Sequence, residues 1–161
     1  MPSKSDARAV LTAAGSGSRL GCEGPKALVE LSGRPLVWWA ARGLRAGGVG
    51  AIVVTAPASS IEEFRSALSD IDDLTVVAGS DRSRQESVAL GLAALGRCEA
   101  DAVVLVHDAA RPLTPPQVTA GLVEAIGGTV HTVAGDERSM KVTRPLDLAL
   151  AQILVAEEAT V

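Results

Sequence analysis

Aromatic residues are nearly missing from this chain of 161 residues, which has no tyrosine, one phenylalanine and two tryptophans. Its core must be built from the aliphatic residues and alanines that dominate an apolar fraction of 47 %. That composition suits buried parallel strands covered by Ala- and Leu-rich helices. Cysteine is scarce as well. Cys22 and Cys98 give no disulfide framework and no metal-ligand spacing, so a reducing, cytoplasmic setting is expected. An excess of positive charge is also lacking. A net charge of −4 and a pI near 5.2 argue against a nucleic-acid partner, which would want a basic face. They leave room for the few local cations that one nucleotide needs. No apolar run approaches a membrane span, and no apolar stretch follows the polar residues 1–8 as a signal peptide would require. Internal repeats and low-complexity linkers are absent too, and a single domain is expected over residues 1–161.

What is present is a regular alternation of apolar runs and amphipathic segments. Strands are expected at 8–14, 50–55, 74–79, 101–112 and 129–135. Helices are expected at 33–48, 61–68, 85–96, 115–126 and 145–159, with Pro35 in the first turn of one and Gly47-Gly48 at its stop. The strand runs are continuously apolar, so the pattern predicts a doubly wound α/β fold with a mostly parallel sheet. Ligands of such sheets sit beyond the carboxyl ends of the strands. The segments AAGSGSRLG, GSDRSRQES and HDAARP each follow a strand and should meet in one cleft.

The first of these segments has the composition of a phosphate cradle, yet it is neither common type. As a dinucleotide fingerprint GSGSRL has Leu20 where the third glycine belongs, and the second strand ends VVTAP without an acid for a ribose hydroxyl. As a P-loop it lacks the Gly-Lys-Ser/Thr ending. What remains is a glycine loop with backbone N–H groups, followed by Arg19 and Lys26, whose cationic groups can balance charge on a transferring phosphoryl group. A tight turn with two solvated cations is the competing reading.

LTAAGSGSRLG followed by GPKAL resembles the N-terminal signature of nucleotidyltransferases with the glycosyltransferase-A-like, or nucleotide-diphospho-sugar transferase, fold. RQESVALGL (84–92), VHDAARP (106–112) and MKVTRPLDLALAQ (140–152) narrow the resemblance to the 2-C-methyl-D-erythritol 4-phosphate cytidylyltransferases of the non-mevalonate isoprenoid pathway. The resemblance implies transfer of CMP from CTP to a polyol phosphate, with pyrophosphate leaving. It implies that Arg19 and Lys26 are the catalytic cations, and that Ala13, Ala14, Gly15, Gly17, Gly79 and Ser87 bind the nucleotide. Asp108 would hold Mg²⁺ or another divalent cation, a hard ion that takes carboxylate oxygen. Arg111 and Lys141 would face the phosphate of the second substrate. His107 reads as structural, because a phosphate nucleophile is already ionised. His131 and the Trp38-Trp39 pair read as packing residues, and the chemistry asks nothing of Cys22.

The chain is shorter than the family pattern. PQVTAGLVEAI runs straight into GGTVHTVAGDERSMKVTRP, with the join near Ile126-Gly127. The absent segment is the one that, in the family, supplies a projecting dimerisation arm and further grips on the second substrate. Two other readings therefore stand beside the first: a ribitol-5-phosphate cytidylyltransferase, and a CTP-binding remnant without turnover. The family is homodimeric, but the arm that makes its dimer has no counterpart here.

Overall fold

The computed structural model describes residues 7–99, 102–124 and 133–159. The chain starts with β1 (Arg8–Thr12), then a short hairpin of β2 (Glu30–Leu31) and β3 (Arg34–Pro35), which leads into helix α1 (Leu36–Ala46). Strand β4 (Ala51–Ala56), helix α2 (Ile61–Ala67), strand β5 (Leu74–Ala78) and helix α3 (Arg84–Leu95) follow. Strand β6 (Val104–Asp108), helix α4 (Pro116–Glu124) and helix α5 (Pro145–Glu158) complete the set.

Four strands form one parallel sheet in the order β5-β4-β1-β6. The chain builds outward from β1 through β4 to β5, then crosses back to place β6 on the other side of β1. The topological switch therefore lies between β1 and β6, where an open α/β sheet forms its crevice. Register aligns the two carboxyl ends, with Thr12 opposite Asp108. The Thr12 hydroxyl donates to the His107 carbonyl at 3.1 Å, tying the strand ends together.

Alternation along the strands assigns the two faces. Ala9, Leu11, Ile52, Val54, Ala56 and Val76 pack with Val37, Ala40, Ala41 and Leu44 of α1 and with Phe64 of α2. On the opposite face α3 lies against β1 and β4. Its Gly91 permits the approach, since a Cβ there would sit 2.4 Å from Val10 Cγ1 and 3.1 Å from Thr55 Cγ2. A smaller core joins Leu20, Leu31, Leu36 and Val142 to Ala151 of α5. Among the described residues β6 is an edge strand, and Val106 is 46 % exposed there. No helix of the described residues is long and apolar enough to cross a membrane.

Element types agree with the sequence reading over the described residues, and the differences have local causes. The helix expected at 33 begins at Leu36, because Ser32 and Gly33 are turn residues with φ of +49° and +80° that fold Arg34–Pro35 back onto Glu30–Leu31. Paired positive φ values are what a tight two-residue hairpin turn requires. Pro35 thus lies before the helix, in extended backbone. The segment read at 101–112 as a strand running into a charged loop is strand over Val104–Asp108, and the loop begins where Ala109 and Ala110 turn away under the Asp108 carboxylate, which accepts from the Ala110 N–H. Most of the strand expected at 129–135, His131 and the join near Ile126-Gly127 lie outside the described residues; residues 133–135 carry no strand pairing.

Candidate active site

A cleft of about 440 Å³ opens at the carboxyl ends of β1 and β6. Three chain segments wall it: the glycine loop after β1, the turn and first helical residues after β5, and the end of β6 with the strap around Lys141. Of the eleven residues singled out from sequence, nine line this cleft: Ala13, Ala14, Gly15, Gly17, Arg19, Lys26, Ser87, Asp108 and Lys141. Gly79 and Arg111 do not.

The glycine loop owes its path to Gly17 and not to glycine content in general. Gly17 has φ +33°, and a Cβ on it would meet Cys22 Sγ at 2.7 Å and the Gly24 carbonyl at 3.1 Å. Its carbonyl accepts from Leu20 N–H at 2.8 Å, closing the single turn that carries Arg19. Gly15 is different: nothing lies within 4 Å of where its Cβ would be, so it simply leaves the cleft side of the loop uncovered. The Lys26 N–H returns to the Gly15 carbonyl at 3.3 Å, bringing the lysine back beside the loop it follows by eleven residues.

Opposite this loop, Ser83 caps α3 by accepting from Glu86 N–H at 3.1 Å. The Ser87 hydroxyl is buried and accepts from Ser80 N–H at 2.9 Å, so it lines the cleft while fixing the turn before the helix. Gly79 stands behind that wall. A Cβ there would press on Ala14 Cβ at 3.0 Å, Ser87 Oγ at 3.1 Å and Thr55 Cβ at 3.2 Å, so its smallness lets the two walls meet.

At the floor, Asp108 Oδ1 accepts from Ala110 N–H at 2.9 Å and Oδ2 pairs with Lys141 Nζ at 2.8 Å. Burial pushes the Asp108 carboxyl up, but the Lys141 ammonium and the Ala110 N–H outweigh it and hold the group below its ordinary value. Lys26 is shifted down, first by burial and then by Lys141, with Arg19 adding to the effect and Asp108 opposing it. The cleft thus gathers four cationic side chains, Arg19, Lys26, Arg84 and Lys141, against the carboxylates of Asp81 and Asp108.

Arg111 points elsewhere, since its guanidinium donates to the Ser139 carbonyl at 2.7 Å and so pins the strap that carries Lys141. His107 is also outside the cleft, with Nε2 3.1 Å from the Arg111 carbonyl. The tryptophans lie away from it too. Trp39 Nε1 donates to the Leu31 carbonyl, and Trp38 sits between Arg34 and Arg42 while donating to Asp70.

Sequence reasoning left Arg84 without a role, although it quoted the segment that Arg84 opens. In the structure Arg84 lines the cleft from the first turn of α3, and its side chain makes no hydrogen bond or ion pair among the described residues. It lies close enough to Asp108 to favour the ionised carboxylate. The available signal was positional: a cation one residue after an N-cap serine, at the carboxyl end of a strand, faces the crevice.

Burial pushes the His107 imidazole below its ordinary 6.5, against a weaker upward pull from the Arg111 carbonyl. The folded chain therefore prefers the neutral ring, while the unfolded ring takes up a proton near 6.5. Stability from the neutral ring is present above about pH 6.5 and is lost as pH falls toward the depressed folded value. The thermal midpoint should drop between pH 7 and pH 5.5, and a His107→Gln chain should lose less over that interval. Equal losses in both chains would clear His107 of the effect.

The family model described as IspD, 2-C-methyl-D-erythritol 4-phosphate cytidylyltransferase, matches residues 7–125 and 118–157 in two overlapping stretches. A 2-C-methyl-D-erythritol 4-phosphate cytidylyltransferase from Streptomyces avermitilis is 46 % identical over 133 residues, covering 78 % of this chain and 52 % of that protein. One of the same name from Nocardia farcinica is 33 % identical over 221 residues, with 94 % of each chain covered. This last alignment is longer than the chain itself, so it crosses positions of the relative to which this chain contributes no residue. The chain spans about half the length of the Streptomyces relative, and 32 % of a bifunctional IspD/IspF enzyme from Nitratidesulfovibrio vulgaris. Among solved structures, a 4-diphosphocytidyl-2C-methyl-D-erythritol synthase superposes with a TM-score of 0.72 at 19 % identity, covering 92 % of this chain and 97 % of the other. That likeness concerns the fold.

Proposed function

The chain belongs to the 2-C-methyl-D-erythritol 4-phosphate cytidylyltransferase family, in a shortened form, and from that premise we propose that its cleft holds CTP and transfers CMP to 2-C-methyl-D-erythritol 4-phosphate. The observation that carries the reading is the pairing of an uncovered glycine loop with four cationic side chains, against the two carboxylates Asp81 and Asp108, at the switch point of the sheet. A triphosphate supplies more negative charge than Asp81 and Asp108 offer to Arg19, Lys26, Arg84 and Lys141.

In the transfer, an oxygen of the acceptor phosphate attacks the α-phosphorus of CTP in line. The bond from that phosphorus to the β-phosphate bridging oxygen breaks, and pyrophosphate leaves with the electron pair. No proton has to be removed from an ionised phosphate, so the work left to the protein is orientation and charge neutralisation. Arg19 and Lys26, which follow the glycine loop and line the cleft, are assigned to the triphosphate and to the charge that builds on the transferring group. Backbone groups of Ala13, Ala14, Gly15 and Gly17 are assigned to the phosphates and ribose. The Ser80–Ser87 wall is assigned to the base, with Gly79 shaping it from behind. Lys141 is assigned to the acceptor phosphate, and Arg111 supports it through the strap it pins.

The donor set at Asp108 fits a hard divalent cation. Asp108 supplies a hard-oxygen carboxylate to the cleft, which Asp81 also lines, and Mg²⁺ on a nucleotide ordinarily takes one or two protein carboxylates and fills its remaining positions with water and phosphate oxygen. No group of three or more His, Cys, Asp or Glu side chains placed to hold an ion exists among the described residues. When bound, such an ion withdraws charge from the phosphates.

The test is pyrophosphate release with CTP, Mg²⁺ and methylerythritol phosphate, beside a titration with CTP alone. Release that depends on all three components supports the transfer. Binding of CTP without release from any polyol phosphate would reduce the reading to a nucleotide-holding remnant. An Asp108→Ala chain should lose its response to Mg²⁺, and an unaltered response would remove Asp108 from the metal assignment.

A further inference from the structure

Lys141 and Asp108 carry opposite assignments, and the structure shows them bound to each other. Nζ of Lys141 lies 2.8 Å from Asp108 Oδ2. One ammonium cannot fully neutralise a carboxylate and a substrate phosphate at the same time. The other carboxylate oxygen, Oδ1, is already engaged by the Ala110 N–H. A divalent cation reaching Asp108 therefore finds Lys141 on the free oxygen.

We propose that Lys141 is a built-in stand-in for the divalent cation: it occupies Asp108 in the free chain, is displaced when the ion binds, and is thereby delivered to the phosphate-binding part of the same cleft. The proposal rests on the metal assignment of Asp108 and goes beyond it by linking two sites.

Three observations make the exchange physically reasonable. The pair is not deeply buried, with the Lys141 side chain 42 % exposed and that of Asp108 19 % exposed, and ion pairs with this much solvent access contribute little net stability. The lysine backbone is anchored, because Val142 is fully buried and its N–H donates to the Ala110 carbonyl at 2.7 Å. The side chain can therefore swing while its root stays fixed beside Asp108. The destination is already charged, since Lys26 lies close enough to Lys141 to be shifted by it. An ammonium released from its carboxylate beside another cation gains from any anion that enters. By linkage, an ion on Asp108 and an anion on Lys141 should each strengthen the binding of the other.

The decisive measurements need no turnover. Binding of Mn²⁺ alone, followed by the loss of its free-ion paramagnetic resonance signal, is compared in the wild-type chain, Lys141→Met and Asp108→Asn. Displacing one partly exposed ion pair should make Mn²⁺ bind about two- to five-fold more tightly to Lys141→Met. Asp108→Asn should bind it far more weakly than wild type. Equal or weaker Mn²⁺ binding by Lys141→Met would overturn the exchange. Binding that ignores Asp108→Asn would overturn the metal assignment itself, a separate failure.

The second half of the exchange is read with inorganic phosphate in the presence of a chelator. Asp108→Asn frees Lys141 and should bind phosphate more tightly than wild type. The double variant Asp108→Asn, Lys141→Met should lose that gain. A gain that survives in the double variant would mean that general charge removal, not release of Lys141, is responsible, and would overturn the proposal. Thermal melts of each chain verify that it is folded before its affinities are compared.

Discussion

A Lys26→Ala chain is expected to release pyrophosphate about 10²- to 10³-fold more slowly than the wild type, with a thermal midpoint close to the parent's. The size follows from the place of the ammonium. Removing one preorganised donor aimed at developing phosphate charge typically costs that much. Lys26 is well prepared for the role, because its backbone N–H is tied to Gly15 and it stands in one short turn with Ala27 buried behind it. Burial first, and the neighbouring Lys141 second, shift its pKa down. Lys26→Arg should recover some of the rate but not all of it, since a planar fork cannot place a compact charge at the same point. Steady-state release measured at saturating CTP decides the matter. A rate within a few-fold of wild type for Lys26→Ala would mean that the phosphates lie elsewhere in the cleft.

The largest effect on stability should come from the only phenylalanine. Phe64 is fully buried, and it belongs to α2, a helix of seven residues that packs on the sheet beside Ile52, Val54 and Val76. Phe64→Ala is expected to cost about 3 to 5 kcal/mol, combining lost transfer energy with the cavity left behind. For a chain of this size that corresponds to a fall in the thermal midpoint on the order of 10 °C. A two-turn helix has few other attachments with which to close the gap, and its small aliphatic neighbours have little volume to move into it. Phe64→Leu, which keeps most of the volume, should cost less than about 1.5 kcal/mol. Urea unfolding with both variants gives the comparison. A loss below about 1 kcal/mol for the alanine variant would show that α2 does not depend on this side chain.

The fold was legible because its strands are short apolar runs bounded by glycine, proline and charge, and because parallel strands need no fine alternation to be seen. The hairpin at Glu30–Pro35 was not legible. Two-residue strands carry no periodicity, and Ser32-Gly33 looked like the approach to a helix. Most of the cleft residues could be collected in advance, since the segments following strands of such a sheet converge by topology. What could not be read was the pairing among the cations. Arg111, Lys141 and Arg84 look equivalent in sequence, yet one side chain is committed to a backbone carbonyl, one to Asp108 and one to no hydrogen bond or ion pair among the described residues. Such choices are made by distances of a few ångström between segments far apart in the chain.

The alignment of Thr12 with Asp108 has a kinetic meaning. The contact from Thr12 to His107 joins residues 95 positions apart, across four intervening strands and three helices. Contacts of such separation are slow to form, because the chain must surrender much loop entropy before they return anything. β1, β4 and β5 can assemble in order of synthesis, whereas β6 docks only after the chain has doubled back past all of them. The glycine loop and Asp108 become neighbours when β6 seats beside β1. A nucleotide that touches both would act as a clasp on the closure itself, drawing the chain toward the form in which β6 is seated.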